Sequence, residues 1–195
     1  MKSIGLKLIL VAGFLTAALL GFCPQAPARL DREYSPPTAH QSQPVLPPPG
    51  VKHLKEVENL VFAMTNQIRQ AHGLAPLSRD AELWNAARAF SDDMLVRQFF
   101  DHTTPDGVPF YRRIRNHYPH WVRTLGENIW ESYGYEHNAP KTLAKLIVAD
   151  WMSSPGHRGN MLDPDYTHLG VGVSARHHLI KVTQEFVGKF GGFWP

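Results

Sequence analysis

The apolar positions between residues 54 and 73 recur every three or four residues, which is the spacing of one face of an α-helix. These positions are Leu54, Val57, Val61, Met64 and Ile68. Gly73 follows them and predicts the end of this helix. We place the start of the folded domain, residues 51–195, just before this segment.

A second helix is predicted after Asp80, whose side chain is well suited to cap the N-terminus of a helix. One face of this helix is apolar, which indicates that it packs on a core. The apolar residues are Leu83, Ala87, Phe90 and Met94. We expect the helix to end near Phe99 or Phe100.

Two prolines mark the starts of two further helices. Pro109 follows the turn sequence TPDG and opens a short helix through Ile114. Pro140 suits the first turn of a longer helix, because proline needs no backbone hydrogen bond there. This last helix directs Leu143, Ile147 and Trp151 inward.

After residue 164 the pattern changes to period two, which predicts β-strands. The segments HLGVGVSA and HLIKVTQEFV are predicted to form an antiparallel hairpin joined through SARHH. In the second strand Ile180, Val182 and Phe186 share one face, and Lys181, Thr183 and Glu185 share the other. Helices early and strands late in the chain predict an α+β fold rather than an alternating α/β fold.

Residues 1–28 have the layout of a secretory signal peptide, with Lys2 and Lys7 before an apolar run. The apolar run, residues 8–22, is short for a membrane span, which needs about 20 residues. The triplet Ala26-Pro27-Ala28 predicts cleavage after Ala28. An uncleaved membrane anchor is the alternative. Residues 29–50 are predicted to be a linker, because the segment 24–50 holds eight of the sixteen prolines.

Cys23 is the only cysteine, and a lipoprotein anchored through it is a second alternative. Phe22 stands where lipoprotein signals have a small residue, so we favour a secreted or periplasmic protein without a stable membrane span. Cleavage after Ala28 would leave no cysteine for a disulfide or a thiolate metal site. Loss of Lys2 and Lys7 would lower the formal net charge from +3 to +1. This charge excludes the basic stripe of a nucleic-acid-binding protein.

Three ionisable residues lie at expected element boundaries, where side chains can point into a cleft. They are His102, Glu127 and His157. Imidazole and carboxylate are suitable ligands for a divalent ion, with zinc the expected one, and Glu127 could instead serve as a general base. The alternative is a structural role, in which the histidines cap backbone groups and Glu127 is a buried hydrogen-bonding group. A nucleophilic Ser154–His157 pair is a weaker hypothesis, because no oxyanion hole is evident.

Four segments together resemble the bacterial branch of the CAP superfamily, which comprises the cysteine-rich secretory proteins, antigen 5 and pathogenesis-related proteins. The segments are FFDHTTPDGVPFYRRI, LGENIW, WMSSPGHRGNMLDPDYTHLGVGV and VTQEFVG. The resemblance implies an α-β-α sandwich with a small antiparallel sheet between helices. It also implies a cleft where His102, Glu127 and His157 converge, and cleft histidines bind divalent metal in some members.

The chain departs from this family in two places. Plant and animal members have a second cleft histidine where this chain has Lys181-Val182, and a glutamate near the SSP segment is replaced by serine. Glu185 shares the strand face of Lys181 and is a possible addition to the cleft, not an assigned site residue.

The family does not fix one activity. We expect a secreted binding module for a lipid, peptide or cell-envelope ligand, with His102, Glu127 and His157 as metal ligands. The alternative is a metal-dependent hydrolase that uses Glu127 as its base.

Overall fold

A computed structural model of the chain describes residues 45–118, 120–134 and 139–189. The predicted signal peptide and cleavage site lie outside the described residues, as does most of the predicted linker. The end of that linker is described, and the backbone N–H of Val45 donates to Asn85 Oδ1 at 3.5 Å. None of the described helices is long and apolar enough to cross a membrane.

The described residues form five helices and five strands. The helices are α1 (Lys55–Ala71), α2 (Ala81–Val96), α3 (Phe110–His117), α4 (Pro140–Ser153) and α5 (Pro155–Leu162). The strands are β1 (Lys52–His53), β2 (Ser78–Arg79), β3 (Val122–Tyr133), β4 (His168–Arg176) and β5 (Leu179–Lys189). The strands form one sheet in the order β1-β4-β5-β3, and the short β2 runs parallel to β4.

The helix boundaries follow local chemistry. Asp80 caps α2, since its Oδ1 accepts from the backbone N–H groups of Glu82 at 3.0 Å and Leu83 at 3.2 Å. Pro140 is the first residue of α4, as predicted. Helix α2 ends at Val96, a few residues earlier than expected, because Gln98 takes a left-handed backbone with φ of 56°.

Helices cover both faces of the sheet. The main core joins α1 and α4 to one face, to which Ile180, Val182 and Phe186 of β5 contribute. Helix α2 lies on the other face, where Ser91 Oγ is 2.9 Å from Thr183 Oγ1. The α-β-α arrangement and the division of side chains between the faces of β5 are confirmed.

Helix α2 approaches the sheet so closely that two positions of β4 require glycine. A Cβ atom at Gly170 would lie 2.3 Å from the carbonyl oxygen of Leu83, and one at Gly172 would lie 2.4 Å from the backbone of Ala87. These atoms belong to the helix backbone, so no side-chain rotation could relieve the overlap. The backbone of α2 therefore packs directly against the backbone of β4.

Gly172→Ala should lower the free energy of unfolding by about 1–3 kcal/mol, because the added methyl group overpacks this contact. Urea denaturation measures the change. Gly159→Ala in α5 is the matched control, because a Cβ there meets no atom within 4 Å. That variant should gain about 0.5–1 kcal/mol from alanine's higher helix propensity. Equal effects of the two substitutions would contradict the close packing of α2 on β4.

The expectation that Glu127 lies at an element boundary is wrong. Glu127 lies in the middle of β3, a strand that the sequence analysis did not predict, and is paired in register with Glu185 of β5. Residues 126–130 are all buried, so this part of β3 lacks the polar–apolar alternation by which strands are recognised.

Candidate functional site

Glu127 is the centre of a buried network of charged side chains. Its side chain is 1% exposed, and each carboxylate oxygen has a different partner. Oε1 lies 2.8 Å from His102 Nδ1, and Oε2 accepts from Arg113 Nη2 at 2.5 Å. The carboxylate thus joins the loop after α2 to helix α3.

The His102 ring is presented by this loop at the surface. Its side chain is 45% exposed, although Nδ1 is held by the buried carboxylate of Glu127. Arg113 Nη2 also approaches the backbone carbonyl of His102 at 3.3 Å. Because Nδ1 is engaged, Nε2 is the ring nitrogen left to face a ligand.

Arg113 packs between the carboxylate of Glu127 and an aromatic ring. Its guanidinium carbon lies 3.1 Å from the centroid of the Phe90 ring. The side chain is 11% exposed, so both members of the Arg113–Glu127 ion pair are largely removed from water. Arg113 Nε and Nη1 are buried without a hydrogen-bond partner among the described residues. Arg113 therefore contributes charge and fixed geometry to the site.

Helix α5 is attached to β3, the outer strand of the sheet, by asparagine side chains. Asn160 Nδ2 donates to the backbone carbonyl of Glu127 at 3.1 Å and to Asn128 Oδ1 at 2.9 Å. Asn128 Nδ2 in turn donates to the carbonyl oxygen of His157 at 3.1 Å. These bonds hold the first turn of α5, which contains His157, beside the strand that carries Glu127.

The two histidines are close enough to interact electrostatically. Burial lowers the pKa of His157, and the neighbouring His102 lowers it further. The neutral form of His157 is therefore favoured, and neutral imidazole is the form that ligates metals. The structure thus places His102 in contact with Glu127 and within electrostatic range of His157.

The arrangement of donors differs from a closed metal centre. Among the residues the structure describes, no group of three or more His, Cys, Asp or Glu side chains is positioned to hold an ion. Between Ser154 and His157, both described, no side-chain hydrogen bond is formed, and the nucleophile hypothesis gains no support. The assignment of His102, Glu127 and His157 as metal ligands stays a prediction.

Glu185 lies opposite Glu127 and is 1% exposed. Burial raises its pKa well above the ordinary value, and the neighbouring Glu127 raises it further, whereas Arg113 opposes the shift. Its Oε2 has no hydrogen-bond partner among the described residues. Burial and the neighbouring Glu127 therefore favour the protonated form of Glu185.

Glu185→Gln should become progressively more stable than the unchanged protein as pH rises. The raised pKa means that the folded protein keeps a proton that the unfolded chain releases above about pH 4.3, so the native protein loses stability above that pH. The difference in free energy of unfolding between the two proteins should grow by up to about 1.4 kcal/mol per pH unit until Glu185 ionises in the folded state. Urea unfolding between about pH 5 and pH 8 measures it.

Glu56→Gln, at an exposed position of α1, is the control for the loss of a carboxylate. Its free energy of unfolding should differ from that of the unchanged protein by an amount that varies little with pH. A difference independent of pH at Glu185 would show that this side chain is ionised in the folded protein.

Lys181 occupies the place where plant and animal relatives are expected to have a second cleft histidine. Its ammonium group forms an ion pair with Glu131 and lies 4.8 Å from the centroid of the Phe100 ring. Lys181 therefore does not join the network around Glu127.

Aromatic side chains border the exposed ring of His102. The rings of His102 and Phe110 lie 6.5 Å apart, and Phe110 contacts Tyr111 edge to face. Tyr111 is 46% exposed. Phe110 and Tyr111 thus form an aromatic surface next to the His102 ring.

Sequence reasoning missed Arg113 and Asn160. Arg113 lies among other arginines in the segment FYRRIRNH. Its only distinguishing feature in the sequence is that it precedes Ile114, the buried residue of α3. Asn160 lies three residues after His157, one helical turn away, and that spacing could have indicated a shared surface.

Comparison with known proteins finds a matching family profile and several relatives of this chain. The profile described as "Cysteine-rich secretory protein family" (CAP) matches residues 62–186. The protein YkwD of Bacillus subtilis, described as uncharacterized, is 36% identical over 156 residues, which are 80% of this chain and 55% of that protein. The chain thus spans about half the length of this relative.

Two solved structures share the fold. An extracellular protein containing a SCP domain from Bacillus anthracis is 30% identical, with a TM-score of 0.57 over 69% of this chain and 41% of that one. An outer surface protein from Borrelia burgdorferi has a TM-score of 0.61 over 72% of this chain and 98% of that one. Its identity is 18%, so this second likeness shows the fold alone.

Proposed function

Since this chain belongs to the bacterial branch of the CAP family of cysteine-rich secretory proteins, we propose that it is an extracellular binding module. Its ligand, a lipid, peptide or cell-envelope component, is held in the cleft around His102 and His157. The extracellular description of the Bacillus anthracis relative supports this location.

The engagement of both oxygens of Glu127 is the observation that carries this proposal. A general base must reach the water that it activates, and the Glu127 side chain is 1% exposed. Here one oxygen is bonded to His102 and the other to Arg113. Glu127 is thus arranged to orient His102, which favours binding over the alternative of a metal-dependent hydrolase.

We propose a divalent ion such as zinc as the bound metal, with the two imidazoles as its protein ligands. A carboxylate behind a histidine, bonded to its Nδ1, is the usual support of a ligating ring. We therefore assign Glu127 to the support of His102 rather than to direct ligation, which leaves His102 and His157 as the protein ligands. When bound, such an ion would offer open coordination positions to a donor atom of the ligand.

The aromatic border supports a ligand that carries an apolar surface next to its polar group. Phe110 adjoins His102 and Tyr111 adjoins Phe110, so such a surface would be covered when the polar group reaches the imidazoles. This arrangement suits a lipid or an apolar peptide side chain more than a fully polar ligand.

Zinc should bind to the protein at about pH 7.5 and more weakly at about pH 5.5, because protonated imidazole cannot ligate. Isothermal titration measures the affinity. His102→Ala combined with His157→Ala should abolish binding. The control is His72→Ala combined with His120→Ala, which removes two exposed imidazoles elsewhere and should leave the affinity unchanged. Equal zinc binding by both double variants would exclude this cleft as the zinc site.

Turnover separates the binding module from the hydrolase. We expect no zinc-dependent cleavage of peptide or ester libraries by the purified protein. Cleavage that Glu127→Gln abolishes, while zinc affinity is retained, would establish the hydrolase instead.

We further propose that export removes residues 1–28 and releases a chain that begins at Arg29. Intact mass of the exported protein measures this directly. A lipid-modified N-terminus at Cys23 would instead establish the lipoprotein.

A further inference from the structure

A second concave site lies at the hairpin end of the sheet, outside the histidine cleft. The groove has a volume of about 670 Å³ and is bounded by the end of α2, the end of β3 and the β4–β5 turn. Lys181, in this groove, and Glu185 are four residues apart on β5, which corresponds to about 13 Å along a strand. The groove is therefore separate from the network around Glu127.

The backbone at the rim of this groove is unusual. Among the described residues, two that are not glycine have a positive φ, namely Gln98 at 56° and His177 at 55°. Both line the groove. Non-glycine residues in this conformation carry a steric cost and cluster at functional sites.

Both residues occupy turn positions of a kind where proteins in general favour glycine. Gln98 follows the C-cap of α2, and the backbone N–H of Phe99 donates to the carbonyl of Met94 at 3.2 Å, which is the helix-ending pattern that favours glycine. His177 is the first residue of a two-residue hairpin turn between Arg176 and Leu179, where glycine or asparagine is favoured. The chain thus keeps two polar side chains at one groove in spite of their cost.

The groove is rich in hydrogen-bond donors. The side chain of Arg176 lines it and makes no hydrogen bond or ion pair with any other described residue. Lys181 is 3% exposed and is held in place by its ion pair with Glu131. The amide of Gln98, the imidazoles of His177 and His178, the hydroxyl of Tyr133 and the carboxylate of Glu131 complete the polar lining.

We propose that this groove binds the phosphate group of a ligand. The donors come from three directions, the end of α2, the hairpin turn and strand β5, which suits the tetrahedral oxygens of a phosphate better than a planar carboxylate. The guanidinium of Arg176 matches two phosphate oxygens at once. Lys181 adds an ammonium donor, whose charge is balanced by its ion pair with Glu131. Gln98 and His177 are retained because they contact this group.

Two variants test the proposal with two readouts. Gln98→Gly combined with His177→Gly should raise the melting temperature by about 2–4 °C, because glycine adopts positive φ without strain. The same variant should bind glycerol 3-phosphate about tenfold more weakly in isothermal titration. Arg176→Ala should weaken binding at least as much, whereas Arg112→Ala, which removes an exposed arginine from α3, should not.

The source of the phosphate is distinguished by a second arm of the experiment. Binding to phosphatidylglycerol vesicles that exceeds binding to glycerol 3-phosphate, and that Arg176→Ala abolishes, would assign the site to a lipid headgroup. The reverse preference would assign it to a soluble phosphate ester. Absence of binding to both probes, or equal loss in Arg176→Ala and Arg112→Ala, would overturn the proposal. A glycine variant that binds as tightly as the unchanged protein would also overturn it.

Discussion

Trp151→Ala should lower the free energy of unfolding by about 3–5 kcal/mol, which is the usual cost of truncating a buried tryptophan. Trp151 is 1% exposed and packs with Leu143 and Ile147 between α4 and the sheet. Its indole Nε1 also donates to the backbone carbonyl of Ile129 at 3.1 Å. The substitution therefore opens a cavity and removes a hydrogen bond from β3, the outer strand of the sheet.

Trp151→Phe separates these two contributions. It keeps most of the apolar contact and removes only the indole donor, so it should cost less than the alanine substitution. Urea denaturation followed by circular dichroism measures both variants. An unfolding midpoint of Trp151→Ala equal to that of the unchanged protein would mean that this residue does not belong to the core.

Arg113→Met should also lower the free energy of unfolding, by about 3–5 kcal/mol at neutral pH. Removing one partner of a buried ion pair leaves the other charge without compensation, and here Glu127 would keep only His102. Methionine retains the apolar stem that covers Phe90, so the loss reports on charge more than on packing. Because Glu127 would no longer be fixed from both sides, the zinc affinity of the cleft should fall as well.

Arg97→Met is the matched control. Arg97 forms its ion pairs with Asp93 and Asp106 at the surface, where such pairs contribute little. Its substitution should leave both the unfolding midpoint and zinc affinity nearly unchanged. If Arg97→Met and Arg113→Met destabilised the protein equally, the buried pair would have no special importance for the fold.

The helices and the hairpin could be predicted from sequence because each buries a single face. Helices α1, α2 and α4 show the spacing of one apolar stripe, and their starts carry clear signals such as Asp80 and Pro140. The two-residue turn at His177 and His178 lies where the hairpin was predicted. Four motifs in register were enough to identify the CAP family, and the family match over residues 62–186 confirms this identification.

Strand β3 and the ion pair inside the site could not be predicted in this way. Glu127 and Asn128 are both buried, on a strand whose two faces are covered. Because polar residues lie at buried positions there, the strand does not show the period-two alternation of polar and apolar residues. The role of Arg113 depends on contacts with a loop and a strand that lie at least eleven residues away in sequence. Local patterns carry no information on such pairings.

The direct contact between the backbones of α2 and β4 has a consequence for motion. Where two elements meet through side chains, changes of rotamer allow one to slide over the other. At Gly170 and Gly172 no side chain intervenes, so α2 and the centre of the sheet should move as one rigid body. Adjustment of the cleft to ligands of different size must then come from the loop that carries His102 and from the first turn of α5. Hydrogen exchange should therefore be slow along β4 and faster in that loop.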